Sequence, residues 1–148
     1  MGYFSSLDVS ASGLTAQRLR MDTISQNIAN INTTRTEDGT PYRRKVTLFE
    51  ERVAQPGAFG SHLLAAIQGD SMGLGVRVAR ILQDDAPFKR VYEPGHPDAD
   101  EDGYVSLPNV EVITEMVNMI SATRSYEANV TSINATKAMC MKALEIGR

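Results

Sequence analysis

Residues 112–144 read VITEMVNMISATRSYEANVTSINATKAMCMKAL. Alternating steps of four and three from Val112 reach Met116, Met119, Thr123, Tyr126, Val130, Ile133, Lys137, Cys140 and Leu144, and only Thr123 and Lys137 interrupt an apolar stripe. The positions between, among them Asn118, Ser121, Arg124, Glu127, Thr131 and Asn134, are mostly polar. An apolar heptad sustained this long without Gly or Pro predicts one continuous helix with a narrow seam. At 1.5 Å per residue the helix is about 50 Å long, and such a seam needs partner helices to cover it.

The N-terminal segment supplies a second copy of the pattern. The same spacing over Tyr3–Ile31 selects Tyr3, Leu7, Ser10, Leu14, Gln17, Met21, Ile24, Ile28 and Ile31. Ser5 and Ser6 are candidate N-caps, and Gly13 weakens the helix by about 1 kcal/mol relative to Ala. Asn30–Pro41, rich in Asn, Thr, Asp and Gly, closes the helix as a turn and loop.

The middle of the chain reads as short extended pieces. Pro41–Val53 alternates, with Val46 and Leu48 on one face and Lys45, Thr47 and Phe49 on the other. Gln55–Gly75 carries five glycines and Pro56 and reads as a loop. Gly75–Gln83 alternates again, and Ile81 falls out of phase with Val76 and Val78, which predicts a bulge. Phe88–Tyr92 is a third extended run, closed by Pro94-Gly95, and His96–Gly103 is an acidic loop. Pro108 precedes the long helix, with Asn109 as its expected N-cap.

Composition excludes several classes of function. The 148 residues fill one ordinary domain, the net charge of −3 gives no basic excess for nucleic acid, and a single Cys allows no internal disulfide. No run approaches the length of a membrane span. Met1–Gln17 has neither a basic start nor an apolar run, so no cleaved secretory signal is expected. Asp98, Asp100, Asp102 and Gly103 imitate the opening of a calcium loop, but Asn109 stands where the bidentate Glu is required. Two His, His62 and His96, with Cys140 make no zinc set. No aromatic stacking platform surrounds Arg43-Arg44-Lys45, which reads as a solvated strand face or a salt-bridging patch between subunits. No nucleophile, base and acid group together, so the chain reads as non-enzymatic, without cofactor or metal.

Ser25-Gln26-Asn27-Ile28-Ala29-Asn30-Ile31-Asn32-Thr33-Thr34, with Gly13-Leu14 and Gln17-Arg18 before it, resembles the signature of bacterial flagellar rod, hook and hook-associated proteins. Within that axial family, Tyr92-Glu93-Pro94-Gly95-His96-Pro97-Asp98, Gly103-Tyr104-Val105, Pro108-Asn109-Val110 and Met116–Asn129 look like the proximal rod proteins of the basal body. The family motif residues are Asn27, Ile28, Ala29, Asn30 and Thr33. The resemblance implies a structural subunit that polymerises into the periplasmic drive shaft carrying torque from the motor membrane ring to the hook. It implies other rod proteins and copies of the chain itself as partners, and export by the flagellar type III apparatus without a cleaved signal. Phe49…Val53 and Phe59…Leu63 have the spacing of export-gate signals in related proteins. Residues 1–34 and 108–148 would form one elongated, coiled-coil-like axial domain, and 35–107 a β-rich insert, a mainly α fold. The expected assembly seam is Leu7, Leu14, Met21, Ile24 and Ile28 with Val112, Met116, Met119, Tyr126, Val130, Ile133, Cys140 and Leu144. A cytosolic helical-hairpin adaptor or chaperone is the alternative reading of the two helices alone.

Overall fold

Side-chain contacts between the two terminal helices run in opposite directions along them. Ser10 meets Ser132, Gly13 lies against Asn129, Met21 meets Thr123 and Asn27 meets Glu115. The helices are therefore antiparallel neighbours in a computed structural model that describes residues 3–52 and 74–146. α1 spans Tyr3–Ala29 and α2 spans Val112–Ile146. Between them lie two antiparallel pairs, β1 (Lys45–Glu51) with β2 (Val76–Gln83), and β3 (Lys89–Tyr92) with β4 (Tyr104–Leu107). Two long helices with a small β insert make the fold mainly α. α1 packs on α2 and also carries β1 and β2.

The local details follow from residue chemistry. α1 ends where the Asn30 side chain donates to the Gln26 carbonyl and Thr33 Oγ1 donates to Asn30 Oδ1 (2.8 and 3.2 Å), satisfying the last turn. It starts at Tyr3, ahead of Ser5 and Ser6, which are therefore inside the helix and not its caps. α2 is capped by Glu111, whose carbonyl accepts from Glu115 N and whose carboxylate accepts from Thr114 Oγ1 at 2.7 Å. Asn109, the expected cap, is engaged elsewhere, as described below. The bulge falls at Ala79, since Leu48 pairs with Arg80 and Phe49 with Val78. That extra residue is why Ile81 is out of phase.

Two features are added by the structure. Tyr104–Leu107, given no element from sequence, forms β4, because β3 supplies its hydrogen bonds and Val105 finds a buried site. The covered face of β1 is Lys45, Thr47 and Phe49, while Val46 and Leu48 point outward. The 55–73 part of the expected loop, with Phe59, Leu63 and His62, lies outside the described residues, as does Val53.

Gly75 joins the insert to α1. Its φ is +100°, a conformation that residues with a Cβ rarely adopt, and a Cβ there would run into Ser12 Oγ. The same hydroxyl accepts from Val76 N at 3.1 Å and donates to the Val9 carbonyl at 2.6 Å. Gly75→Ala is expected to lower unfolding free energy by about 1–3 kcal/mol, from backbone strain and overpacking together. Urea denaturation of the variant beside Gly39→Ala, also at positive φ but with open space around it, isolates the packing share.

Candidate functional site, a buried polar junction

Asn27 and Glu115 sit at one end of the helix pair, 1% and 0% exposed. The amide of Asn27 fills its hydrogen-bonding capacity. Nδ2 donates to Glu115 Oε2 (3.0 Å) and to the Lys45 carbonyl (2.8 Å), while Oδ1 accepts from Lys45 N (2.9 Å) and Tyr42 Oη (3.0 Å). One side chain of α1 thus holds the first residue of β1 from both sides of its peptide.

The other carboxylate oxygen, Glu115 Oε1, accepts from Arg44 Nε and Nη2 at 2.8 and 2.7 Å. Two charge-assisted donors of one guanidinium thus converge on a single oxygen. Arg44 also reaches Asp84 Oδ2 at 3.2 Å. Asn109, just ahead of α2, accepts from Arg44 N at 2.8 Å and donates to the carbonyls of Asp84 and Ala86 at 3.1 Å. The junction therefore binds α1, β1, the β2–β3 connection and the start of α2 together. The basic triplet is used within the subunit: Arg44 as described, Arg43 stacked 4.6 Å over the Phe88 ring, and Lys45 5.7 Å over Tyr42.

Away from the junction the helix–helix seam is small and polar. Ser10, Gly13, Ala16, Thr23, Ile24 and Asn27 are the buried residues of α1, and Glu115, Ala122 and Thr136 those of α2. Apart from Ser10, which meets Ser132 across the seam at 3.4 Å, its hydroxyls and amides bond one turn back within their own helix: Thr23 to Leu19, Thr123 to Met119, Asn129 to Ser125, Thr136 to Ser132. Back-bonding satisfies them without a partner across the seam. Gln17 differs, with Oε1 buried and unbonded to protein.

The residues expected on a seam divide accordingly. Ile24 is buried; Leu7, Leu14, Met21, Ile28, Met119, Tyr126, Val130, Ile133 and Cys140 are half-buried; Val112, Met116 and Leu144 are exposed. The face of α2 turned to α1 runs through Glu115, Met119, Ala122, Tyr126, Asn129, Ile133, Thr136 and Cys140. It shares Met119, Tyr126, Ile133 and Cys140 with the apolar stripe and is rotated from it by one residue. In the family motif, Asn27 is the junction, Asn30 and Thr33 close α1, Ile28 is half-buried and Ala29 is exposed. Sequence reading missed Glu115, Arg44, Tyr42 and Asp84. The available signal was an acidic residue at the head of an alternative heptad phase, 115–122–129–136.

Among the described residues no group of three or more His, Cys, Asp or Glu is placed to hold a metal ion, and no helix is long and apolar enough to cross a membrane. In the acidic turn, Asp98 accepts from Thr34 Oγ1 at 2.8 Å and its amide donates to His96 Nδ1.

Comparison with known proteins places the junction in a family. The model of the flagella basal body rod proteins matches residues 7–35, and that of the C-terminal region of the flagellar basal body rod FlgEFG proteins matches 101–146. Flagellar basal-body rod protein FlgC of Borreliella burgdorferi is 52% identical over 150 residues, covering 99% of this chain and 98% of its own. Those of Bacillus subtilis and Escherichia coli are 50% and 41% identical, with both chains covered in full. The chain belongs to the FlgC family of flagellar basal-body rod proteins. It is a structural subunit of the basal-body rod, as its relatives are basal-body rod proteins by name. Asn27 lies in the first matched segment of this rod subunit and Glu115 in the second, so the junction joins the two regions that the family models describe.

Breaking a buried ion pair from one side leaves the other group uncompensated. Glu115→Ala is expected to destabilise the rod subunit by about 3–5 kcal/mol, and Glu115→Gln, which keeps the shape and can still accept from Arg44, by about 1–2 kcal/mol. Chemical denaturation of the two variants tests the order.

The junction also has a pH signature. Burial, then the Glu115 charge, raises the Tyr42 pKa above its ordinary value of about 10. Its contribution to stability is complete below that value and is lost as pH rises through the folded pKa. The backbone hydrogen bond from Ala86, then the Arg44 side chain, hold Asp84 below the ordinary carboxylate value of about 4. Its contribution is present above that value and is lost as pH falls through the folded pKa. Denaturant midpoints measured across pH should fall at both limits, with Tyr42→Phe flattening the alkaline side and Asp84→Asn the acid side.

Proposed function

We propose that this subunit is built into the proximal rod in the periplasm, where it transmits torque from the motor membrane ring towards the hook. The observation that carries the reading is an apolar strip on α2 that no part of the described chain covers. Val112, Ile113, Met116, Val117 and Ile120 lie along it, with Ile113 at 72% and Val117 at 61% exposure. Met139, Met141, Leu144 and Ile146 are exposed near the other end of α2.

Apolar surface of this kind serves a shaft. Burying a Val, Ile or Met side chain contributes about 1.5–3 kcal/mol. A few such residues per neighbour offset the ordering that association demands. Contacts between unlike faces then propagate as a helical assembly. Residues 1–34 and 108–148 act together as an elongated axial domain with coiled-coil-like packing against neighbours, and 35–107 as the insert that orients them. The assembly seam comprises the expected residues of both helices, with the exposed strip of α2 added. Partners are other rod proteins and copies of this chain, with the membrane ring at the base. The flagellar type III apparatus exports the chain without cleaving a signal, and the subunit does no catalysis.

Val117→Asp/Ile120→Asp places charge on the strip without touching α1. Rod assembly and swarming should be lost while the helical signal of the purified chain is kept. Asn134→Asp, on an exposed polar position, should swarm normally. Normal swarming of the double variant would overturn the reading.

A further inference from the structure

Most of the seam between α1 and α2 does not select one longitudinal position. Apart from Ile24 and the Ser10–Ser132 contact, its buried residues are small or bonded within their own helix, and the larger ones of α2, Met119, Tyr126 and Ile133, recur at seven-residue intervals. A slide of one helix along the other by one heptad, about 10 Å, keeps that phase. It would set Gly13 opposite Thr136 in place of Asn129, and Asn27 opposite Ala122 in place of Glu115. Gly13 would still face a small polar side chain.

The junction is the part that such a slide disrupts. Asn27 grips Lys45 on both backbone sides, so β1 travels with α1 and carries Arg44 with it. Glu115 is the residue of α2 that both Asn27 and Arg44 engage, and it has no exposure to water with which to replace them. Sliding would strip the carboxylate of Asn27 and of the Arg44 guanidinium together. It would also pull Asn109 from Arg44 N and from the two carbonyls of the β2–β3 connection.

We infer that Glu115, held by Asn27 and Arg44, is a register lock: it chooses one of several heptad-related alignments of the terminal helices. The rest of the seam supplies adhesion, and the lock supplies position. In a subunit loaded along its length it is also the element that resists shear between α1 and α2. Replacing the polar pair with apolar side chains should then leave a helical protein that populates more than one alignment, as polar residues in helical seams trade stability for register.

The test uses the full chain with Cys140→Ser and two reporter pairs, at a concentration where circular dichroism shows it helical. Ser10→Cys/Ser132→Cys reports the observed alignment, in which the two hydroxyl oxygens are 3.4 Å apart. Ser10→Cys/Met139→Cys reports the alignment slid by one heptad. With the native junction, oxidation should close the first pair and leave the second open. With Asn27→Leu/Glu115→Leu, where Arg44 keeps Asp84 as its partner, the slid link should rise about tenfold or more relative to the first. Glu115→Gln, which keeps an acceptor for Arg44 and gives up the one for Asn27, should still link mainly in register. Exclusive in-register linking in the Leu/Leu variant overturns the proposal, as does a slid link in Glu115→Gln as strong as in the Leu/Leu variant. Loss of all helix in the Leu/Leu variant overturns it too, since the junction would then be needed to fold and not to choose among alignments.

Discussion

A carboxylate shut away from water must be compensated wholly by protein, and Glu115 draws that compensation from two elements. Its oxygens are divided between an amide on α1 and a guanidinium just ahead of β1. Neither donor stands alone: Asn27 is fixed by Lys45 and Tyr42, and Arg44 by Asp84 and Asn109. The insert is thereby not an appendage on a hairpin. It is the third body of a joint whose other two are the terminal helices, and removing any one side leaves the other groups buried and unsatisfied.

The rest of the hairpin is arranged around a division of labour unusual for a globular domain. Small and back-bonded polar residues face inward, and much of the large apolar content of α2 faces outward. A free-standing domain gains little from this, because apolar surface left in water contributes nothing to its stability. In the proposed rod the same surface is covered after incorporation. On that proposal the exposed strip of α2 is left for neighbours, while the polar junction holds the subunit.

The helices and the β insert were legible in the sequence because they rest on periodicity, on Gly and Pro, and on a family motif spanning Asn27–Thr33. The phase of the helix pair was not. The stripe through Met116, Val130 and Leu144 is the more apolar one, and a sequence reader gives it the nearest neighbour. The folded chain instead turns Glu115, Ala122, Asn129 and Thr136 inward, which look like solvent positions until Arg44 and the one-turn hydrogen bonds are known. Arg44 itself was invisible as a partner because 71 residues separate it from Glu115, and no local pattern links a strand arginine to a helix glutamate that far away. β4 was missed for a related reason: Tyr104–Leu107 is extended only because β3 pairs with it.

The back-bonded hydroxyls of the seam carry one more implication. Thr23, Thr123 and Thr136 keep their hydrogen bonds whether or not the opposite helix is present, so parting the helices there exposes no orphaned donor. The junction at the other end has no such reserve. Pulled apart from the end where α1 begins and α2 finishes, the pair should peel at low force through most of its length and then stop at a single strong tooth. Pulled from the junction end, it should resist first and then give way all along. The hairpin is a zipper with a direction, and a machine that threads the chain would meet different mechanical work depending on which end it grips.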